Sequence, residues 1–490
     1  MNTQNYASNL KFLKMLRVYK NFFEALHASD VMFCNWKGYY AAENHLKGVG
    51  DLDLFVPLDF KKKFEQIAQN NGFKRVVSFQ SNHDYIEHYF GLDSDSNVFV
   101  HIHVYFKIIT GEHASKNYNL PLENYIKGNI DASPLLPKIN TVGMHTIFLI
   151  RYFLKIGSIY GYFQYWREIE KYKNEWSSFN HDFSFKSIPE LGLTNKELNE
   201  MCKVYENKSI LNHLVLSMKI KRKLRGFRRK PYIQHQFFII QNLIIRVLNK
   251  LFLKKQKILI PGAVVAICGL DGSGKSSVVS SVKEKFSRYF CSKVFHLGRP
   301  ASNPYSLFFN LFIAIYSFFK KIKPAKRVTN QVSSLKNISL IFAMRSVLLA
   351  YDRKVQSDKA YNLSKKGYLV ICDRYPGLTN GKMDSPRIPA NESRGLLYQF
   401  CYRQEQNLYK SIKPAMFIFH LFVPLEVALN RNRLRVKFGK ESEQELTERF
   451  LLNSDAKFLG DNYNMIDASP PLETVLKQII RGLWFSREWK

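Results

Sequence analysis

Apolar and polar positions along the chain fall into three regimes. From residue 1 to about 215, strand-like runs (Asp51 to Pro57, Asn97 to Ile109) mix with helical ones such as KKKFEQIAQNNGFKRV. A densely basic stretch follows, KIKRKLRGFRRK at 219–230, and then the amphipathic segment FFIIQNLIIRVLNKLFLKK. From about 261 the pattern becomes strand, glycine-rich loop and helix, then further strands at Tyr368 to Cys372 and Met416 to Phe422 separated by helical stretches. That alternation predicts an α/β fold, a parallel sheet with helices on both faces. An α+β domain with a helical extension precedes it. The expected boundaries are 1–215, a basic amphipathic linker over 216–260, and 261–490. No internal repeat is visible.

Composition narrows the classes. A chain of 490 residues is too long for one ordinary core. With 46% hydrophobic and 14% aromatic residues it is not globally disordered. Lys and Arg outnumber Asp and Glu by 73 to 40, a net charge of +33, which favours polyanionic neighbours: nucleotides, nucleic acid or an anionic membrane surface. The six cysteines show no C-x-x-C spacing, so neither a disulfide framework nor a zinc site is expected. The first residues lack the apolar core of a secretory signal, and no apolar run reaches the ~20 residues needed to span a bilayer. The expected location is cytoplasmic, with peripheral contact at the inner face of the membrane as an option.

The most specific signal is AVVAICGLDGSGKSS, 263–277. GLDGSGKS fits G-x-x-x-x-G-K-[ST], with Gly269, Gly274, Lys275 and Ser276 at the fixed positions and Asp271, Gly272, Ser273 and Ser277 filling the loop. Such glycines let backbone N–H groups turn inward onto phosphate oxygens, and a helix starting near Lys275 adds its positive end. Lys275 supplies a cation for the β- and γ-phosphates, and the Ser276 hydroxyl a Mg²⁺ ligand. The expectation is a P-loop holding ATP and Mg²⁺. A second acid–base pair, Asp373-Arg374, follows the strand GYLVIC, where ligands sit in open α/β sheets. A structural ion pair at a strand end is the plain alternative.

Taken together, GLDGSGKSS, AYDR, ICDRY, VPLEVALNRNR, TERF and MIDAS-PLETV resemble the thymidylate kinase family over roughly 261–490. The resemblance implies that Arg353 and Arg374 grip an acceptor phosphate, that Asp373 organises Mg²⁺ and the reacting oxygens, and that Asp271 faces the acceptor sugar. It also implies that Arg431, Arg433 and Arg435 belong to a lid over ATP; a solvated helix face is the other reading of that cluster. After the Asp-Arg pair, PGLTNGKMDSPRIPANESRGLLYQF departs from the serine-rich helix with which the family shapes its base pocket. The acceptor expected is therefore a phosphorylated small molecule, such as a nucleoside monophosphate, rather than thymidylate itself. Resemblance to bacterial fusions near surface-polysaccharide genes adds sugar- or lipid-linked acceptors.

Upstream, Gly50-Asp51-Leu52-Asp53-Leu54 places two carboxylates at i and i+2 on one strand face, a pattern that can hold Mg²⁺. With Asn35-Trp36-Lys37-Gly38 before it, this resembles the nucleotidyltransferase fold over about 30–110. That fold's third carboxylate is missing; NVFVHIHVYFK offers His101 and His103 instead. A metal site of two histidines and two aspartates, a nucleotide-binding domain without catalysis, and ordinary strand residues all stay open. The basic run 219–230 reads as a solvated helix or linker, or, with the apolar segments at 237–255 and 306–323, as contact with an anionic membrane. Nucleic acid is disfavoured because aromatics do not interleave with the basic run. The leading function is ATP- and Mg²⁺-dependent phosphoryl transfer, with a homodimer as a further option. A nucleotidyltransferase using Asp51 and Asp53, or a non-catalytic nucleotide-gated adaptor at the membrane, are the alternatives.

Overall fold

The structure is a computed structural model and describes residues 15–78, 83–112, 115–131, 135–156, 159–179, 184–207, 209–252, 257–259, 261–319, 340–378, 387–390, 395–434, 442–453, 455–486 and 489. The chain divides into two compact units, Met1–Lys257 and Ile258–Trp489.

In the first unit, β1 (Cys34–Asn35), β2 (Asp51–Phe55), β3 (Lys74–Ser78), β4 (Ile86–Leu92), β5 (Phe99–Tyr105), β8 (Ile130–Asp131) and β9 (Lys138–Ile139) form a mixed sheet in the order β3-β4-β5-β2-β1-β9-β8. A separate ribbon pairs β6 (Ile108–Thr110) with β7 (Tyr118–Leu120). The register at the centre is parallel and sets Asp51 beside His101 and Asp53 beside His103. Because side chains alternate along a strand, Leu52, Leu54, Val100, Ile102 and Val104 all turn to one face. There they pack with Phe22 and Phe23 of α1 (Arg17–Ala28) and Phe64 of α2 (Lys61–Asn70). The opposite face carries the aspartates, the histidines, Phe55 and Tyr105. Phe55 and Tyr105 join a helical core built on α3 (Thr141–Ile156), most of whose side chains are buried.

The helical part continues through α4 (Ile159–Arg167), α5 (Ile169–Ser177), α6 (Asn195–Glu206), α7 (Ile210–Lys223) and α8 (Tyr232–Phe252). Helix α7 runs through the expected boundary at 215, and Leu216, Ile220 and Leu224 belong to the core around α3. The basic run begins in this helix, with Lys219, Arg222, Lys223 and Arg225 exposed, and several of its cations are paired. Lys221 pairs with Glu112 at 2.9 Å, Lys223 with Glu197 at 2.5 Å and Arg229 with Asp84 at 2.7 Å.

The second unit is a sheet of five parallel strands: β10 (Ala263–Gly269), β11 (Ser292–His296), β12 (Leu369–Asp373), β13 (Ala415–Phe422) and β14 (Gly460–Asp467), in the order β11-β12-β10-β13-β14. Central β10 is buried throughout, as an uninterrupted apolar strand between helical layers should be, while edge strand β14 alternates half-buried and exposed residues. The intervening helices are α9 (Lys275–Ser287), α10 (Pro304–Phe319), α11 (Leu340–Lys365), α12 (Leu396–Lys410), α13 (Leu425–Arg433), α14 (Glu443–Asn453) and α15 (Leu472–Trp484). Trp489 tucks back against Trp484, ring centroids 5.8 Å apart, and donates its indole N–H to the Pro261 carbonyl at 2.8 Å. That carbonyl lies just before β10.

Candidate active site

The strand order places β10 between β12 and β13, so the loop leaving β10 opens at the carboxyl edge where the connections diverge. Gly269 sits at φ +148°, and a Cβ there would come within 2.4 Å of the Leu421 carbonyl oxygen. Gly274, at φ +85°, forms the left-handed cap from which α9 starts. The turn is therefore tight and its helix begins with Lys275. The first N–H groups of any helix lack intrahelical acceptors, which leaves this end suited to anionic oxygens. Ser276 and Ser277 are exposed in the first turn, whereas Ser273 is buried and bonds back to Leu270.

Lys275 is only 6% exposed. Its ammonium donates to the Leu270 carbonyl at 2.6 Å and lies 3.5 Å from the Asp271 carboxylate. Burial, reinforced by the Arg374 charge, pulls its pKa down to about 8. Asp271 is the charge centre of the loop. Besides Lys275 it receives Arg374 on Oδ1 at 2.7 Å and Arg449 on Oδ2 at 2.8 Å. Burial alone would raise its carboxyl, but Lys275, Arg374 and Arg449 outweigh that and hold it well below the ordinary range.

Asp373 ends β12 and lies 2.9 Å from His296 Nδ1, on neighbouring β11. Arg374 follows at φ +67°, a strained setting for a side chain with a Cβ. Gly298 makes room for it: a Cβ at residue 298 would meet Arg374 Cδ at 2.5 Å.

Arg353 is 1% exposed. Its guanidinium donates to the Leu297 carbonyl at 2.9 Å, to the Gly298 carbonyl at 3.2 Å and to the Tyr409 hydroxyl. It thus pins the turn after β11. Beside it, Asp352 accepts from the Asn303 backbone N–H at 2.9 Å and from the Asn303 side chain. Arg431 donates to the Ala468 carbonyl at 2.8 Å and reaches the Gly272 carbonyl at 3.5 Å, tying α13 to the loop. Arg433 points away and pairs with Glu443 at 2.7 Å; Arg435 lies outside the described residues. The structure thus brings Asp271, Lys275, Arg374, Arg431 and Asp373 to one edge of the sheet and sets Arg433 apart. Arg449 was not singled out from sequence, although it stands in the quoted TERF, because a lone Arg on an acidic helix has no spacing signal.

In the first unit the aspartates are tightly engaged. Asp51 Oδ1 accepts from His101 Nδ1 at 2.6 Å, and His101 Nε2 lies 3.0 Å from His88 Nδ1. Asp53 Oδ1 lies 3.1 Å from His103 Nδ1 and pairs with Lys37 at 2.9 Å. Burial brings the His103 pKa down to about 3, so the ring beside Asp53 is neutral and Lys37 is the counter-charge. Burial would raise Asp53, yet Lys37 and His103 hold it far below its usual range. The two histidines thus spend their Nδ1 atoms on the aspartates. Among the described residues no group of three or more His, Cys, Asp or Glu side chains is arranged to hold a metal ion. The four-ligand metal site is not assembled. Behind Lys37, Arg151 pairs with Glu175 at 2.8 Å, and Lys155 donates to the Tyr172 hydroxyl at 3.0 Å.

The sequence profile of the thymidylate kinase family matches residues 321–479, a stretch that includes Arg353, Asp373, Arg374, Arg431 and Arg449 and begins after the glycine loop. The C-terminal half is thymidylate kinase-like. YghR, an uncharacterized ATP-binding protein of Escherichia coli strain K12, is 23% identical over 224 residues, 45% of this chain and 85% of that protein. The thymidylate kinase of Blochmanniella pennsylvanica is 24% identical over 228 residues, 46% of this chain and 96% of that one. Among solved structures, thymidylate kinase from Candida albicans aligns with 47% of this chain and 94% of its own, at 19% identity and a TM-score of 0.28. Deoxyadenosine kinase from M. mycoides, with dATP bound, aligns with 45% of this chain and 98% of its own, at 15% identity and a TM-score of 0.23.

Proposed function

We infer that the C-terminal half transfers the terminal phosphoryl group of ATP to a phosphorylated acceptor, with Mg²⁺. The observation that carries this reading is the tight glycine turn with buried Lys275 at its rim, facing the Asp373-Arg374 edge of the adjacent strand.

In the reaction, an acceptor phosphate oxygen attacks the γ-phosphorus while the bond from that phosphorus to the β,γ-bridging oxygen breaks, releasing ADP. Phosphoryl transfer asks the protein mainly for placement and charge neutralisation. The loop amides and Lys275 hold the β- and γ-oxygens once the ammonium leaves Leu270 and turns outward. Arg374 and Arg449, parked on Asp271, are cations that can swing onto transferring or acceptor oxygens. Arg353 acts as a positioning residue, fixing the turn at Leu297 and Gly298 on which Arg374 rests. Ser276 and Asp373 would hold Mg²⁺; one hydroxyl, one carboxylate and substrate phosphates are a donor set that ion accepts. The ion supplies charge neutralisation on the phosphates when bound.

The nucleotidyltransferase reading of the first unit has the Asp51-x-Asp53 pair in its favour and the engagement of Asp53 by Lys37 and His103 against it. The sugar- or lipid-linked acceptors raised by the sequence remain within the proposed substrate class. The deciding experiment is a screen of nucleoside monophosphates, sugar phosphates and lipid phosphates with γ-labelled ATP and Mg²⁺. Label should reach an acceptor with wild type and Asp51→Ala, and not with Lys275→Ala. Loss in Asp51→Ala alone would move catalysis to the first unit, and nucleotide binding without any labelled product would leave an adaptor.

A further inference from the structure

We propose that helix α10, Pro304–Phe319, is a lipid-facing surface that lays the kinase-like unit on an anionic membrane.

The helix is apolar on its outward side as well as its inward one, where Phe309 and Ile313 are half-buried beside Ser306. A helix packed on a soluble core buries its apolar side and shows polar residues to water. Here Ser306 is buried at 3% exposure, while Leu307, Phe308, Leu311 and Ile315 stand 58%, 75%, 58% and 49% exposed. Those four share one side of the helix at spacings of one, three and four residues. Tyr305 beside them is 70% exposed. A contiguous apolar face of this kind marks an interaction site rather than a solvent surface.

What covers it is indicated by charge. Between Glu284 and Asp352 the sequence contains no Asp or Glu at all, and Lys293, Arg299 and Arg345 in that interval are exposed. A second copy of the chain would bring the same cations against themselves, on a protein already at +33. An acidic headgroup layer attracts them, and each Lys or Arg near such a surface adds to the binding. Length fits a surface-lying helix. At 16 residues and 1.5 Å rise, α10 spans about 24 Å, short of the roughly 30 Å hydrocarbon core. None of the described helices is long and apolar enough to cross a membrane.

The placement matters for the proposed site. Asn303, immediately before α10, is held by Asp352, the neighbour of Arg353. The amino end of the lipid-facing helix is thereby tied to the turn beneath Arg374. The docking itself needs neither ATP nor the transfer reaction.

The test is co-sedimentation of the full-length protein with vesicles of phosphatidylcholine alone and of phosphatidylcholine with phosphatidylglycerol, without nucleotide. Wild type should pellet with the anionic vesicles and be released by salt. Phe308→Glu combined with Leu311→Glu should weaken binding about tenfold or more, with the far-UV circular dichroism spectrum unchanged. Leu434→Glu, the same kind of change at a site 77% exposed elsewhere in the unit, should bind as wild type does. Equal pelleting with neutral and anionic vesicles, unaltered binding by the double variant, or no vesicle binding alongside a dimer that the double variant dissolves would each overturn the proposal.

Discussion

Asp271 in the glycine loop grips Arg449 of helix α14 at 2.8 Å, joining residues far apart in sequence at the mouth of the proposed nucleotide site. The contact makes Arg449 a reserve cation, held close without entering the space meant for phosphate.

Arg449→Ala should therefore lower kcat/KM for phosphoryl transfer while leaving thermal stability nearly unchanged. A charge-assisted contact of roughly 1.5–3 kcal/mol corresponds to about a ten- to hundredfold loss. Arg433→Ala removes the exposed pair with Glu443 and should change kcat/KM by less than about threefold. Steady-state kinetics on the two variants separate the roles; similar losses would show that proximity to Asp271 is irrelevant.

Lys275 gives a proton signature. Burial and Arg374 bring its pKa to about 8, so above that pH the empty loop loses its cation. A bound polyphosphate favours the charged form, so binding at about pH 8.5 should take up protons. Calorimetry in two buffers of different ionisation enthalpy measures that uptake. It should vanish in Lys275→Met, and wild type showing none would contradict the assignment.

The first unit offers a stability test at Lys155. Its pKa falls from 10.5 to about 7 through burial, then the charges of Arg151 and Lys37. Between those two values the unfolded chain binds more protons than the folded one, so stability should rise as pH increases through this window. Thermal melts from about pH 6 to about pH 9 should show that rise in wild type and a flatter profile in Lys155→Met.

Asp51 and Asp53 should part company in the same assay. Asp53 is the half-buried partner of Lys37, and Asp53→Ala strands that ammonium at a cost of roughly 1.5–3 kcal/mol. The Asp51 side chain is 58% exposed, and Asp51→Ala should cost about 1 kcal/mol or less. Equal shifts in melting temperature would mean that the strand, not the ion pair, sets the loss.

Much of the second unit was legible because its signals are local. A glycine turn, a buried strand before it and a helix after it occupy a few consecutive residues, and strand–helix alternation implies parallel order. The readings that changed depended on partners distant in sequence. The run 219–230 looks like free charge until Glu112, Asp84 and Glu197 fold against it. The spacing of Arg353 says nothing of the Leu297 and Gly298 carbonyls to which its guanidinium donates. Asp51 and Asp53 announce a shared strand face, but their spacing says nothing of Lys37, which arrives after a different strand. The expected base-reading stretch after Arg374 falls partly outside the described residues, and its described end is helix α12.

The indole of Trp489 has a practical bearing. Its bond to the Pro261 carbonyl buttons the stretch after helix α15 onto the root of the strand that launches the glycine turn. Trp489→Ala would take the indole donor from that carbonyl and loosen the nucleotide cradle from below.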